Sequence, residues 1–582
     1  MKILLASILV LPLLVQAQTP QAAPSAEPAS STPVEGIPVT NQLVISKCGA
    51  CHTKDDKGNM LRISWERATP EGWEEAIKRM VRLRGVSLTP DEARSVLKYL
   101  STYHGLAPEE AKPIMYYAEH RIQDETNIPN DTVRGACANC HPMARPLSWR
   151  RAPEDWKYLA NLHVALYPQA DEAFRLGINA GGFDEEHHHL DPGAPLPVDD
   201  ALAFLGKTAP LQTPEWAAWR ARMRAPKLTG RWLVSAYLPG RGKFYGDMEV
   251  EASSGASSGE TSDEFTTRAK LTSLKDGSTI SRTGHSLVYA GYAWRGKSKG
   301  TMAAKAAPDD LGSEMREVMW VSPDQSTAEG RWFWGEYQEF GFDVKMQRAS
   351  ADPTLIGADR SLLKAGSQGT RVRLLAESLP AQIAPADLDF GTGVAVKRIV
   401  SHTPIEIVAE VDVAADAVPG KRDIAFRRSV LQSAVAIYDR IDYVKVTPDS
   451  ALAHLGSERH PKGFQQFEAV AYQRGADGKP HTADDVELGP IDVNWSVEEF
   501  YSVYGDDDKE FVGSLSNTGL FNPASDGPNP QRKFSRNNYG DVWVVATAKN
   551  EKDKDGRPLI GKSYLVVTVP TYIKWDQPEV GQ

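Results

Sequence analysis

The sequence predicts a multidomain fold in which an all-α N-terminal part is followed by three all-β domains. Residues from about 37 to 225 combine helix-capping signals, such as Thr89-Pro90-Asp91-Glu92, with apolar residues at helical spacing. From about 226 onward, polar and apolar residues alternate between glycine-rich turns, which is typical of strands. A chain of 582 residues is also too long for one hydrophobic core, so several domains are expected.

The composition indicates a soluble globular protein. Hydrophobic residues make up 41% of the chain and charged residues 24%, and the net charge of −10 disfavours binding to nucleic acid. After the N-terminal segment, the chain contains no uninterrupted apolar stretch of about 18 residues. No membrane span is therefore expected in the mature protein.

The N-terminus has the features of a secretory signal peptide. Lys2 precedes an apolar run from Ile3 to Val15, and Val15-Gln16-Ala17 places cleavage after Ala17, so residues 1–17 are the predicted signal peptide. As a helix this run rises about 20 Å, less than the roughly 30 Å of a hydrocarbon core, which disfavours an uncleaved anchor. Residues 18–36 are rich in proline, alanine and serine and are expected to form a flexible leader.

Two C-x-x-C-H motifs contain all four cysteines of the chain. This spacing is the attachment motif of a c-type haem, in which both cysteines form thioethers with the porphyrin and the histidine ligates the iron. A zinc site would need further cysteine or histidine partners at finger spacing. Because haem c is attached outside the cytoplasm, the motifs and the signal peptide together indicate the periplasm. The sequence thus predicts two covalent haem c groups on Cys48, Cys51, Cys137 and Cys140, with His52 and His141 as iron ligands.

An internal repeat follows each motif. The segments share a Ser-Trp-x-Arg-Ala start and a second tryptophan, with one residue deleted in the second copy. A later Leu-x-x-Asp-x-Ala segment is also repeated. We therefore expect a dihaem cytochrome c domain at 37–225, with two tandem lobes at about 37–125 and 126–225, in which 64–73 matches 148–156 and 88–93 matches 196–201.

The helix that carries each second tryptophan offers a candidate for the other axial ligand. Met80 follows Trp73 by seven residues, and His163 follows Trp156 by seven residues, on the apolar face of each helix. Methionine and histidine both ligate haem iron, so a substitution confined to this position favours ligands over core packing. The sequence predicts His52/Met80 at the first haem and His141/His163 at the second.

Other methionines and histidines remain alternatives for these positions. Met143 lies two residues from His141 and should not reach the opposite face of the same haem. The His187–His189 run lies in a Gly/Asp-rich stretch and is interpreted as solvent-exposed. The remaining alternatives are Met60, Met115, His104 and His120.

The two predicted ligand sets imply unequal reduction potentials. A thioether sulfur favours reduced iron, so the His52/Met80 haem is expected at a higher potential than the His141/His163 haem. We therefore expect electrons to reach the His141/His163 haem first and to pass to the other.

The β-rich part divides into three domains. Residues 226–350 are predicted to form an antiparallel barrel, because short strand-like runs follow one another at the spacing typical of that fold. These runs are 243–252, 265–272, 285–295, 316–321, 329–337 and 340–347. Residues 351–448 and 449–582 are each predicted to be an immunoglobulin-like sandwich; in the first, Ile405 to Val413 alternate apolar and acidic residues. The stretch Asp477 to Asp485 lacks the ligand pattern of a calcium loop and is interpreted as a polar hairpin turn.

The two haem motifs, the tryptophan-helix repeat and the three β-domains in this order resemble the α subunit of quinohaemoprotein amine dehydrogenase. The resemblance covers essentially the whole mature chain. It implies a heterotrimer with a β-propeller β subunit and a small γ subunit that carries a cysteine tryptophylquinone. Primary amines would be oxidised on the γ subunit, and this chain would relay the electrons to a soluble acceptor such as a blue-copper protein or cytochrome c.

The sequence agrees with a relay subunit, since it offers no catalytic base and its cysteines are all needed for haem. No catalytic residue is therefore assigned to this chain. Two other classes of protein remain open. One is a dihaem cytochrome c peroxidase, which would need an open iron site. The other is a free-standing electron carrier whose β-domains act as binding modules.

Overall fold

The computed structural model describes residues 34–114, 131–138, 140–176, 195–253, 262–302, 307, 309–334, 340–501, 504–553 and 555–570. The predicted signal peptide, nearly all of the predicted leader, Met115, His120 and residues 187–189 lie outside these ranges. From Gly36 onward the chain belongs to one compact unit, which contains both the helical part and the β-domains.

The N-terminal part is helical, and most of its helices begin at a proline, whose missing N–H costs nothing at that position. The capping box predicted at Thr89 is confirmed, because Glu92 N donates to Thr89 Oγ1 and Thr89 N donates to Glu92 Oε2. A π-helical turn, Arg134–Ala138, carries the second haem motif into its lobe. The described helices are α1 (Gln42–Cys48), α2 (Pro70–Arg84), α3 (Pro90–Tyr103), α4 (Pro108–Ala111), α5 (Asp131–Val133), α6 (Ala144–Leu147), α7 (Pro153–Leu166), α8 (Pro168–Leu176), α9 (Pro197–Thr208) and α10 (Pro214–Arg222).

This part also contains a short β-ribbon that the sequence analysis does not predict, so it is not purely helical. Strands β1 (Glu66–Ala68) and β2 (Trp149–Arg151) pair antiparallel, with Arg67 opposite Arg150. Each strand belongs to one copy of the internal repeat. The two copies therefore pair with each other, much as two subunits pair across a two-fold axis.

From the ribbon to the ends of α2 and α7, positions 83 residues apart are equivalent in the two lobes, one residue fewer than the separation at which the Ser-Trp-x-Arg-Ala starts match in sequence. Arg67 and Arg150 pair directly, and the residues that cap α2 and α7 are Thr69 and Ala152. Trp73 Nε1 donates to His104 O over 2.8 Å, and Trp156 Nε1 donates to Ala209 O over 3.4 Å. The two acceptors, His104 and Ala209, end α3 and α9 and are 105 residues apart, so the offset is larger for these helices. Met80 and His163, in α2 and α7, are related by the 83-residue offset.

The second domain is a closed antiparallel barrel, as the sequence predicts, in which each strand pairs with its neighbours along the chain. The strands are β3 (Gly230–Leu238), β4 (Gly242–Ala252), β5 (Glu264–Ser273), β6 (Thr279–Tyr289), β7 (Ala293–Lys299), β8 (Met315–Val321), β9 (Thr327–Trp334) and β10 (Phe340–Arg348). Its interior is filled by buried side chains that include Trp232, Trp294 and Trp332. The single run expected at 285–295 is wrong, since it covers the end of β6, a turn and the start of β7.

The helical part packs on the β6–β7 turn of the barrel. Trp219 Nε1 donates to Ala290 O over 3.1 Å, and Tyr292 OH donates to Leu106 O over 3.1 Å. Nearby, Arg295 forms a buried ion pair with Glu71 of α2. These contacts join the core of the helical part to the barrel in one hydrophobic cluster.

The third domain has two four-stranded sheets around one core. Its strands are β11 (Thr354–Ala358), β12 (Leu362–Lys364), β13 (Thr370–Glu377), β14 (Leu388–Asp389), β15 (Val394–Thr403), β16 (Glu406–Val413), β17 (Gly420–Phe426) and β18 (Ser429–Tyr438). The sheets have the orders β11-β13-β16-β15 and β12-β18-β17-β14. Ile407, Ala409, Val411 and Val413 are fully buried. Ile405 is 59% exposed, because it lies in the turn before β16.

The fourth domain is also β-rich. Its elements are β19 (Tyr443–Thr447), β20 (Ser450–His454), β21 (Gln465–Gln466), β22 (Glu468–Gln473), β23 (Val486–Pro490), β24 (Val493–Glu499), α11 (Asp508–Phe511), β25 (Gly513–Leu515), β26 (Leu520–Pro523), β27 (Gly540–Lys552) and β28 (Pro558–Thr568). The sheets have the orders β19-β22-β23, β20-β28-β27-β24 and β21-β26-β25. The polar stretch 477–485 joins the antiparallel pair β22 and β23, which confirms the predicted hairpin turn. That the last two domains are immunoglobulin-like stays a prediction.

Candidate haem sites

The first motif forms a tight turn at the end of α1. Cys51 N and His52 N both donate to Cys48 O, over 3.2 and 2.9 Å, which places both cysteines and the histidine on one turn. His52 Nδ1 lies 2.8 Å from Leu61 O. Metal-ligating histidines commonly donate one ring N–H to a carbonyl, which orients the ring and leaves the other nitrogen for the metal. The arrangement therefore leaves Nε2 of His52 for an iron atom.

The second motif brings its histidine to His163. His141 Nδ1 lies 3.0 Å from Pro142 O, and His163 Nδ1 lies 2.9 Å from Leu159 O one turn earlier in α7. The ring centroids of His141 and His163 are 6.3 Å apart. Two imidazoles that bind one metal ion through nitrogens about 2.0–2.1 Å away have ring centres roughly 6 Å apart. The pair therefore has the separation needed to hold one iron atom between two Nε2 atoms.

The surroundings of these histidines favour the neutral imidazole, which is the form that ligates metals. Burial, with a smaller contribution from the Arg145 charge, lowers the pKa of His141 to about 4. Burial also lowers the pKa of His163. Phe174 and Tyr167 flank the His163 ring at centroid distances of 6.0 and 6.2 Å.

Met80 occupies the position in α2 that His163 occupies in α7. Its side chain is half-buried, one turn beyond Ala76 and Ile77, which pack on the core of the helical part. Its carbonyl accepts from Gly85 and Val86 where the helix ends. Met80 thus lies at the end of the apolar face of α2, and its role as a ligand stays a prediction.

The alternative ligands among the described residues lie elsewhere. Met60 and Met143 are buried in the core next to Leu61 and Pro142, whose carbonyls hold the Nδ1 atoms of His52 and His141. His104 is fully buried, with ring centroids 6.3 Å from Trp73 and 6.1 Å from Tyr99.

The four cysteines differ in exposure. Cys51 and Cys140 are exposed, whereas Cys48 and Cys137 are half-buried. Burial, together with the nearby Cys51, raises the pKa of Cys48, and burial raises that of Cys137 to about 12. Each motif thus has one inner and one outer cysteine, an arrangement that suits two thioether bonds to one porphyrin edge.

Exposed apolar side chains surround both candidate ligand positions. Val81 and Leu83 follow Met80 and are 41% and 55% exposed. Val164 and Leu166 follow His163 and are each 40% exposed. These residues are equivalent under the 83-residue offset. A large apolar group such as a porphyrin would cover apolar surface of this kind, so the residues present fit haem at both positions.

Arg79 links the two sites electrostatically. It precedes Met80 in the first lobe, and its charge, like that of Arg145, contributes to the lowered pKa of His163 in the second lobe after the larger effect of burial. Its Nε atom is buried without a hydrogen-bond partner among the described residues. Nothing in the residue spacing of α2 shows that Arg79 faces the other lobe, so this contribution could not be predicted from the sequence.

A buried ion-pair network holds the lobes together. Arg67 donates to both oxygens of Glu110 over 2.7 and 2.9 Å, and Arg150 Nε lies 3.4 Å from the same carboxylate. Thr213 Oγ1 also donates to Glu110 over 2.8 Å. Burial raises the pKa of Glu110, but the hydrogen bonds and charge of Arg67 outweigh it and lower the pKa. Glu110 therefore stays ionised and is a shared counter-charge for the two paired arginines of the ribbon.

Two lobes with haem-attachment motifs, followed by β-domains, define a multidomain haem protein of the electron-transfer class. Comparison with protein families gives the particular family. Four sequence models match: "Quinohemoprotein amine dehydrogenase A, alpha subunit, haem binding" at residues 39–179, and the alpha subunit's domains II, III and IV at 225–349, 352–439 and 444–580. The chain belongs to the alpha-subunit family of quinohemoprotein amine dehydrogenase, an oxidoreductase.

The chain was also compared with curated proteins and with solved structures. No curated protein matches the chain significantly. A designed fluorescence-activating β-barrel matches at 19% identity with a TM-score of 0.16, over 21% of this chain and 93% of its own. Human protocadherin-24 EC1-2 matches at 16% identity with a TM-score of 0.14, over 39% of this chain and 98% of its own. Within the described residues, no helix is both long and apolar enough to cross a membrane.

Proposed function

We propose that this chain is the dihaem relay subunit of a periplasmic amine dehydrogenase. Cys48, Cys51 and His52 would hold one haem c, and Cys137, Cys140 and His141 the other. Met80 and His163 would complete the two iron sites. Haem c supplies one-electron redox chemistry, and the residues of this chain set its ligands, orientation and electrostatic environment.

The observation that best supports this proposal is the equivalence of Met80 and His163 across the ribbon. Met80 and His163 are separated by 83 residues, as are Arg67 and Arg150, which pair at the centre of the ribbon. His163 lies at the distance from His141 that a shared iron atom requires. The same position in two paired lobes thus presents a thioether in one and an imidazole in the other.

The unequal ligands give the relay a direction. A thioether favours reduced iron more than an imidazole does, so the His52/Met80 site would have the higher potential. Electrons would enter at the His141/His163 site and leave from the His52/Met80 site. Burial lowers the pKa values of His141 and His163 and so favours their neutral imidazoles, and the carbonyl contacts orient both rings.

Membership of this family supports a proposal for the partners and the substrate chemistry. We propose that this chain assembles with a β-propeller β subunit and a small γ subunit whose cysteine tryptophylquinone oxidises primary amines to aldehyde and ammonia. A soluble acceptor, either a blue-copper protein or a cytochrome c, would receive the electrons. All four cysteines of this chain are needed for haem, so the quinone would lie on another chain.

Purification of the native protein tests this proposal. We expect this chain in a stable complex with two further subunits, and reduction of its haems when a primary amine is added to the complex. The isolated chain should not be reduced by the amine. A lone monomer in the native extract would favour a free-standing electron carrier, and peroxide turnover by the isolated chain would favour a peroxidase.

A further inference from the structure

Three carboxylates converge at one point in the fourth domain, far along the chain from the haem motifs. Glu499 ends β24, Asp506 lies in the following loop, and Asp508 begins α11. One oxygen of each lies within 4.8 Å of the others. Glu499 is 7% exposed, Asp508 is 3% exposed, and the Asp506 side chain is 1% exposed.

Glu499 has an oxygen that no protein group satisfies. Its Oε2 accepts from Lys509 N over 3.3 Å, whereas its Oε1 is buried without a hydrogen-bond partner among the described residues. Burial first, and then the Asp506 and Asp508 charges, raise the pKa of Glu499. An unpaired carboxylate oxygen buried beside two other carboxylates is costly unless a positive group joins them.

The arginines near the cluster do not balance its charge. Arg532 and Arg536 both pair with Asp507 and Asp508, and Arg536 lies 3.6 Å from Asp506. In the ion pairs formed by the described residues, two guanidiniums thus face four carboxylates, those of Asp507 and the three converging residues. The carboxylates therefore outnumber the arginines that pair with them, and a divalent cation would offset the excess negative charge.

We propose that Glu499, Asp506 and Asp508 bind a calcium ion. All three ligands are hard oxygen donors, which calcium and magnesium prefer. Oxygens 2.3–2.6 Å from a calcium ion lie at most roughly 5 Å apart. One oxygen of each carboxylate lies within 4.8 Å of the others, so a single calcium ion can reach all three, and the hydrogen bond from Asp541 N to Asp508 Oδ2 (3.0 Å) orients one ligand.

The ion would tie together segments that are distant in sequence. It would join the end of β24 to α11, and through Asp508 to the segment that carries Arg532 and Arg536. Calcium should therefore stabilise this region without changing the haem spectra. The proposal does not depend on the proposed electron relay, since no haem ligand takes part in it.

Calcium binding to the full haem-loaded chain tests the proposal. After removal of bound metal with a chelator, titration with CaCl₂ alone should show one bound equivalent and a rise in the temperature of thermal unfolding. Calcium should also slow tryptic cleavage after Lys509 and Lys533, which lie beside the cluster. Glu499→Gln should lose at least 10-fold in calcium affinity. Glu498→Gln, an adjacent change in an exposed pair with Lys562, should keep it.

The opposite results would overturn the proposal. If neither the chelated wild type nor Glu498→Gln binds calcium at millimolar concentration, and Glu499→Gln is at least as stable as the wild type, then Glu499 is simply protonated. Unchanged calcium affinity in Glu499→Gln would also refute the site. If Glu499→Gln fails to fold, Asp506→Asn provides the same comparison, since loss of affinity supports the proposal and full retention contradicts it.

Discussion

Replacing Glu110 by Gln should destabilise the helical domain strongly, because this carboxylate is the shared counter-charge of the two arginines at the centre of the ribbon. Arg67 is fully buried and Arg150 is 8% exposed. Breaking a buried pair by removing one partner typically costs about 3–5 kcal/mol, because a charge is left uncompensated. Glu110→Gln removes the counter-charge for two guanidiniums and weakens the hydrogen bond from Thr213, so we expect a loss in this range.

Neighbouring Glu109 provides a matched control. It pairs with Arg222 over 2.9 Å, and the two side chains are 48% and 52% exposed. An exposed pair of this kind typically contributes roughly 0.2–1 kcal/mol. Glu109→Gln should therefore have a small effect. Arg150→Gln should fall between the two, since Glu110 keeps both of its hydrogen bonds from Arg67.

Urea unfolding followed by haem absorbance measures this difference. The haem bands report the helical domain alone, which matters because a multidomain chain does not unfold in one step. With a denaturant slope of about 1–3 kcal/mol per molar urea, Glu110→Gln should lower the midpoint by at least about 1 M. A midpoint no lower than that of Glu109→Gln would refute the role assigned to this network.

Three further predictions follow from named side chains. First, because the pKa of folded Glu110 lies below its ordinary value, its stabilisation is present above about pH 4.5 and should be lost as the pH falls further. The urea midpoints of the wild type and Glu110→Gln should therefore converge as the pH is lowered below this value, and a difference that stays constant would contradict the assignment. Second, Arg79→Gln should lower the midpoint potential of the His141/His163 haem, because the positive charge that it removes disfavours ferric iron. Arg82→Gln, at an exposed position of the same helix, is the control, and equal shifts in both variants would contradict the prediction. Third, Ile407→Ala should destabilise the third domain by about 2–5 kcal/mol. Ile405→Ala, at a 59% exposed position, should change the calorimetric transition of this domain little. Similar effects of the two changes would show that the burial pattern of β16 is wrong.

The haem motifs and the repeat could be predicted because their information is local. Three positions specify each attachment motif, and seven residues of helix separate each tryptophan from its candidate ligand. The barrel was equally accessible, since its strands alternate and follow one another in space. The run at 285–295 misled because the β6–β7 turn is as apolar as its flanking strands, with buried Ala290 and Tyr292.

The ribbon and its network could not be predicted for the opposite reason. Glu66-Arg67-Ala68 is too short and too charged to show a strand pattern, and it forms a strand only because its repeat copy pairs with it. Glu110 lies 43 positions from Arg67, so sequence spacing does not reveal their contact. The carboxylates of the proposed calcium site are likewise brought together by β24 and α11 rather than by a local motif.

Spectropotentiometry of the wild type and Met80→His tests the unequal haem sites most directly. The wild type should show two midpoints, and the variant should lower only the higher one, because an imidazole replaces the thioether at one site. Met60→Leu and Met143→Leu, which alter buried methionines beside the histidine carbonyl partners, should leave both midpoints in place. Two unchanged midpoints in Met80→His would contradict the assignment of Met80 as an iron ligand.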